Sequence, residues 1–328
     1  MCYSAMVLQD AKKLGIKFHA RVQYDLYSEL FMRRLSGERL LINKAMEKGF
    51  VKNPQSPAEK RIAKSIVDWH GQEISRLEAE LFKQKERLAN AERSLKTKVT
   101  KKAEEDVRIA SKKIEKCKFD LKKHQSTELK SDSDSRIFPF HYVSMIYADP
   151  KGQLSVAPFR YHMRPHDKDE AFDRDYGGCY NARFNNLKRV AFWKDSLASR
   201  RGLILVERFY ENVPVERYLE NNKLKKDLQD KTNIVLCFEP ENTDFILIPT
   251  LWDEWKKKGE AHLRSTALIT DDPAPEIREA GHDRTPIFLK ESAVEKWLLA
   301  EKVEEAIEAL SQREAPYYNH RVLGSSAA

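Results

Sequence analysis

Leu203-Ile204-Leu205-Val206-Glu207-Arg208-Phe209-Tyr210-Glu211 joins an aliphatic run to a group of charged and aromatic side chains. A short apolar run of this kind, partly β-branched and without helical spacing, predicts a buried strand over residues 202–208. Glu211 follows close behind, so its carboxyl is expected in apolar surroundings. Burial disfavours the charged form and pushes such a carboxyl toward neutrality, which suits proton transfer. Further strands are expected at 141–147, 234–239, 245–248 and 267–270, where Val, Ile, Phe and Tyr concentrate. Helices are expected at 215–219, 277–280 and 292–310. The strands do not alternate regularly with helices, and no Gly-x-Gly-x-x-Gly or Walker segment is present, which argues against a doubly wound sheet. The predicted class is α+β, a mostly antiparallel β core with peripheral helices.

Upstream the pattern changes. Leu77, Leu81, Gln84, Leu88, Ala91 and Leu95 recur at spacings of four and three, and after Thr97-Lys98-Val99-Thr100 the alternation resumes at Ala103, Val107, Ala110, Ile114, Cys117 and Leu121. This predicts an inserted antiparallel coiled-coil hairpin, with arms of about 40 Å at 1.5 Å rise per residue. Cys117 falls in its seam. Residues 24–50 also read as helical, and Asn53-Pro54-Gln55-Ser56-Pro57 as a connector. Residues 96–124 hold 11 Lys and Arg against 5 Asp and Glu, while the whole chain has a net charge of +8. The second arm is therefore an expected contact for DNA phosphates, or for a protein partner.

The chain has 328 residues, 41% of them hydrophobic and 34% charged, enough for a sizeable core with an unusually polar helical stretch. Its four cysteines, at 2, 117, 179 and 237, lack Cys-x-x-Cys spacing and a nearby histidine set, so neither a disulfide framework nor a metal site is expected, and no cofactor. No apolar run is long enough to span a bilayer, and the first residues lack the form of a signal peptide, so a cytoplasmic location is expected.

Cys2 stands directly after Met1 in Met1-Cys2-Tyr3-Ser4-Ala5. Removal of Met1 would leave an amine and a thiol on one carbon skeleton, a 1,2-aminothiol that condenses with an aldehyde to a thiazolidine. Three downstream segments place polar groups among apolar neighbours: Tyr180-Asn181-Ala182-Arg183, the Glu207–Glu211 stretch, and Gly281-His282-Asp283-Arg284-Thr285-Pro286. His282 can move a proton near neutral pH. The amide of Asn181 can hold an amine.

Together with Cys2 these segments resemble the SOS response-associated peptidase (SRAP) family, whose members crosslink covalently to abasic sites in single-stranded DNA. The resemblance covers residues 1 to about 9 and about 136 to 323. It implies Cys2 as nucleophile, Asn181 as positioner, and Glu211 and His282 as acid–base groups. It also implies Arg160, Tyr161 and Arg183 as DNA contacts, the first two from Phe159-Arg160-Tyr161, which resembles the family's Met-Arg-Trp stretch; Arg164 is a further candidate for a backbone phosphate, since the planar fork of an arginine suits one. Arg208, Thr285, Tyr161 and Asn185 depart from the family's Gly, Met, Trp and Glu. The implied organisation is a nucleophile segment at 1–20, a helical insertion at 21–130, and the rest of the catalytic domain at 131–328. Two other readings use the same residues. One is a coiled-coil adaptor or nucleic-acid-binding protein in which Cys2 is packed away. The other is a papain-like Cys-His-Asn peptidase, although no signature of those proteases surrounds Cys2.

Overall fold

The computed structural model describes residues 4–222 and 232–323. Two compact units share the chain: Met1–Tyr27, Leu40–Gly49 and Leu129–Ala328 form one, Ser28–Arg39 and Phe50–Glu128 the other.

Among the described residues of the first unit, thirteen strands join in one sheet. They are β1 (Ser4–Val7), β2 (Arg21–Val22), β3 (Leu41–Ile42), β4 (Arg136–Ile137), β5 (His141–Ala148), β6 (Leu154–Tyr161), β7 (Asn181–Arg183), β8 (Arg201–Pro214), β9 (Asn233–Pro240), β10 (Ile246–Trp255), β11 (Leu263–Asp271), β12 (Thr285–Pro286) and β13 (Tyr318–Leu323). The order runs β13-β9-β8-β10-β11-β6-β5-β3. A further pairing of β5 with β8, Ile146 opposite Leu203 and Tyr147 opposite Gly202, closes five of these strands into a ring. Most pairings are antiparallel; β6 and β7 on β11, β2 on β6 and β3 on β5 are parallel. The expected α+β class with a mostly antiparallel core is the one found.

β8 carries the aliphatic run into the middle of this sheet. Leu203, Ile204, Leu205 and Val206 are all buried, as a strand covered on both faces requires. Each such side chain contributes roughly 1.5–3 kcal/mol on burial. Gly202 is set by close approach: a Cβ there would meet Thr250 Oγ1 at 2.6 Å and Met145 Sδ at 2.7 Å. β8 also runs longer than the apolar run suggests, so Glu211 lies inside the strand rather than at its end. A register shift opposite Met6 and Val7 of β1 marks an irregularity beside Glu207 and Arg208. Bulges of this kind bend a strand and re-aim the residues that follow.

The second unit contains two long helices, Pro57–Thr97 and Lys101–Gln125. Ser56 caps the first through Glu59 N (3.2 Å), with Pro57 in the opening turn, and Thr100 caps the second through Ala103 N (3.2 Å). Cross-contacts step in opposite directions along the two helices. Arg87 meets Asp106, Glu80 meets Lys113, and His70 Nδ1 lies 2.9 Å from His124 Nδ1, so the helices are antiparallel. Leu77, Gln84, Ala91, Ala103, Ala110, Ile114 and Cys117 are buried in the seam. Gln84 brings a polar group there and donates to Glu80 (2.9 Å). Farther along, the Arg34 guanidinium lies 3.8 Å from the centre of the Trp69 ring and 5.2 Å from that of Phe31. Among the described residues, no helix is long and apolar enough to cross a membrane.

Candidate functional site

Glu211 sits in β8 opposite Leu236 of β9 and is only 1% exposed. His282 is brought to it by a turn that the sequence specifies closely. The short helix Pro275–Glu279 ends with Gly281 N donating to Arg278 O (2.9 Å) and His282 N donating to Ile277 O (3.1 Å), the paired bonds of a Schellman cap. Gly281 has φ +88°, and a Cβ there would approach the Arg217 carbonyl carbon to 2.9 Å. Both the left-handed backbone and the crowding demand glycine. Gly281→Ala is therefore expected to lower the unfolding free energy by about 2 kcal/mol or more, read as a lower urea midpoint with an unchanged m-value. Thr285, where the family resemblance leads one to expect methionine, accepts from Ala274 N (2.9 Å) at the other end of the same helix.

His282 Nε2 lies 3.2 Å from Glu211 Oε2, and its Nδ1 lies 3.0 Å from the Arg284 carbonyl oxygen. A carbonyl only accepts, so Nδ1 carries a hydrogen. The contact between Nε2 and the carboxyl then needs one proton between them. Burial holds the imidazole toward its neutral form, pushing its pKa down to about 4. The buried imidazole and the Glu211 carboxyl at 3.2 Å thus form a pair that can share one proton, an arrangement suited to giving up and taking back a proton.

The start of β1 reaches the same strand. Ser4 pairs with Tyr210, next to Glu211. Arg136 donates to Ser4 Oγ from Nε (2.9 Å) and Nη2 (2.7 Å), and its guanidinium lies 3.7 Å from the centre of the Tyr210 ring. Arg208, in place of the expected glycine, donates to Tyr210 Oη, Glu239 and Asp132, each at 3.1 Å, and Tyr210 Oη donates to Asp132 (2.8 Å). Arg208 thereby ties β8 to β9 on the face of the strand opposite Glu211. Cys2 lies outside the described residues. The other three cysteines are buried. Desolvation pushes the Cys179 thiol up to about 12 and the Cys237 thiol up to about 11, so neither is a competent nucleophile near neutral pH.

Asn181 begins β7, opposite Leu268 of β11. Two residues further along β11, Thr270 has Arg183 on one edge and Pro286 of β12 on the other. The Asn-Ala-Arg segment and the segment that follows His282 therefore converge on one end of β11. Asn181, Arg183 and Arg284 line a cleft of about 350 Å³ together with Gly177, Gly178 and Trp193. Arg284 follows His282 by two residues, and its place beside Arg183 emerges only once β7 and β12 are brought to the same strand.

The expected DNA contacts divide. Arg183 is about a third exposed and pairs with Asp272 (2.9 Å). Arg160 and Arg164 are instead buried against one carboxylate. Arg160 donates to both oxygens of Asp173 (2.7 and 2.9 Å) and to His162 O, and Arg164 also donates to Asp173 and lies 4.7 Å from the centre of the Trp255 ring. Tyr161 is fully buried, edge-on to Tyr180 at 5.8 Å between ring centres, and offers no face for stacking on a base. The reason is that Phe159-Arg160-Tyr161 ends β6, where residues 155–161 are all enclosed. Asp173 gave no sign of its pairing in the sequence, lying in an acidic stretch with no regular spacing to the arginines.

A sequence model described as SOS response associated peptidase (SRAP) matches residues 95–322. That segment contains Asn181, Glu211 and His282; Cys2 stands ahead of it. The abasic site processing protein YoqW of Bacillus subtilis is 26% identical over 118 residues, 36% of this chain and 46% of YoqW. The abasic site processing protein YobE of the same organism is also 26% identical over 118 residues, 36% of this chain and 48% of YobE. This chain thus spans about half the length of the curated relatives it matches. An X-ray crystal structure of a protein from Bordetella bronchiseptica aligns over 61% of this chain and 90% of its own at 16% identity, with a TM-score of 0.45.

Proposed function

Because this chain belongs to the SOS response-associated peptidase family, we propose that it processes abasic sites in DNA, capturing them covalently through Cys2 once Met1 has been removed. The observation that carries this reading is the register of β1 on β8. Ser4 lies opposite Tyr210, next to Glu211, and two further residues of extended chain reach about 7 Å at most. That register supports a nucleophile at position 2 that works with the Glu211–His282 pair. The names of the relatives, which describe abasic site processing, support the same substrate.

The chemistry assigns each group a step. An abasic deoxyribose is mostly a closed hemiacetal, and proton transfer by Glu211 opens it to the aldehyde. The free amine of Cys2 adds to C1′ to give a carbinolamine, which loses water to an imine when its hydroxyl is protonated. The Cys2 sulfur then bonds to the same carbon as the C=N π bond becomes an N–H bond, and the thiazolidine ring closes. The net change is loss of one water. His282 takes up and returns the proton that Glu211 moves, and Asn181 holds the amine by its amide oxygen. Arg183 and Arg284, in the cleft beside Asn181, hold the flanking phosphates, while the Arg160–Asp173–Arg164 cluster holds the end of β6 in place.

Single strands suit this chemistry because the sugar must leave the stack to enter a cleft. The test is direct. Incubated with a single-stranded oligonucleotide bearing one abasic site, the protein is expected to form a complex that survives heating in denaturant, and to form none with the undamaged strand. A complex that dissolves in denaturant at every time point would overturn covalent capture.

A further inference from the structure

We infer that the outward face of the helix Lys101–Gln125 is a second nucleic-acid surface, gripping the phosphate backbone of single-stranded DNA and offering Phe119 to a base. The inference rests on DNA being this chain's substrate, as proposed above, and extends it to residues that the chemistry does not use.

Lys112, Lys116, Phe119 and Lys123 recur at spacings of four, three and four, which places them on one stripe of the helix. Ala110, Ile114 and Cys117 are buried in the seam, and at 100° per residue the stripe lies on the side opposite them. Lys101 continues it toward the helix start. Counter-charge is sparse there: Lys116 has Asp120 at 3.4 Å and Lys112 acts on Glu105, which is itself paired with Arg108, while Lys101 and Lys123 have no ion-pair partner among the described residues. Such ammonium groups gain by displacing the counterions of a phosphate chain.

Phe119 is the second observation. It is 70% exposed amid these lysines, although an outward helix position exerts no demand for an apolar ring. A coiled-coil face that only had to stay solvated would carry a polar side chain there. Cations alternating with an exposed ring make up the elements of a single-strand surface, because the ring can stack only on an unpaired base. A duplex would engage the lysines and leave Phe119 idle.

Fluorescein-labelled oligothymidylate without abasic sites tests this in the full chain, since no covalent capture contributes to the signal. Anisotropy titrations over about 50 to 300 mM salt give the slope of log K against log salt. Lys112→Ala/Lys116→Ala/Lys123→Ala is expected to make that slope shallower by about 2, at about 0.7 per lost phosphate contact on a single strand. Phe119→Ala is expected to weaken binding about tenfold at fixed salt and to leave binding of a duplex unchanged. Unaltered slope and affinity in both variants would overturn the inference. So would sedimentation showing that the stripe joins two copies of the chain and that the triple variant separates them. Abasic-site crosslinking at saturating DNA reads the other proposal separately. Its absence alongside salt-dependent, Phe119-dependent binding of the intact strand would count against capture and leave this surface standing.

Discussion

Cys2→Ala is expected to leave no denaturation-resistant complex with abasic single-stranded DNA, even after overnight incubation. The variant keeps a terminal amine, so it still condenses with the aldehyde, but an imine hydrolyses in water. Only the sulfur converts it into a ring. A reductant that traps imines should therefore restore a covalent band in Cys2→Ala while adding little to the wild type, which separates loss of the second bond from loss of DNA binding. The same substitutions at Cys179 and Cys237 should leave the yield unchanged, because burial keeps those thiols protonated. A full-strength band from Cys2→Ala without reductant would remove the thiol from the reaction.

The second large effect is kinetic. Glu211→Gln keeps the size of the side chain and can still donate to His282 Nε2, so the fold and the 3.2 Å contact are retained while the transferable proton is lost. Positioned acid–base groups contribute about 10²–10⁴ in rate. The initial rate of crosslinking should fall by at least about a hundredfold. The final yield should approach that of the wild type, because the thiazolidine, once closed, owes nothing to Glu211. A rate within twofold of wild type would leave the Glu211–His282 pair with a structural role only.

Much of the frame could be read from the chain alone. The strand at 202–208 was legible because its aliphatic run is unbroken, and the helix Val215–Leu219 was found at the expected residues. The hairpin seam was legible because apolar residues recur at heptad spacing, and the positions expected inside include Leu77, Ala91, Ala110 and Cys117, all buried. Other elements were hidden for identifiable reasons. β8 continues to Pro214 because Glu207 and Arg208 fall at the irregularity facing β1, where charged side chains can reach outward without ending the strand. The strand expected at 245–248 runs on to Trp255, past Pro249, which cannot donate to a ladder. It persists because its pairing with β11 begins only at Thr250, so Pro249 has a single strand neighbour, β8.

One expected helix is two. Residues 292–310 carry a helical pattern throughout, yet the helix Val294–Leu299 stops and another begins at Val303. The cause is remote in sequence. Buried Arg201 donates to the carbonyl oxygens of Trp297 (2.8 Å) and Ala300, drawing the terminal carbonyls away from a continuing helix, and Glu305 accepts from Glu301 N (3.2 Å) and Lys302 N (3.4 Å) to start the next. The site divides in the same way. Glu211 announced its burial through its neighbours, whereas the left-handed turn at Gly281 that delivers His282 emerges only in the folded chain. The commitment of Arg160 and Arg164 to Asp173 depends on a partner 9 to 13 residues away in an irregular segment, which no spacing encodes.

The most direct test is the mass of the N-terminal tryptic peptide after crosslinking to an abasic oligonucleotide and nuclease digestion. Capture by a freed amine and thiol predicts peptide 2–12, without Met1, carrying the sugar remnant less one water. Peptide 1–12 unmodified, with the sugar found on a lysine or not found at all, would contradict it.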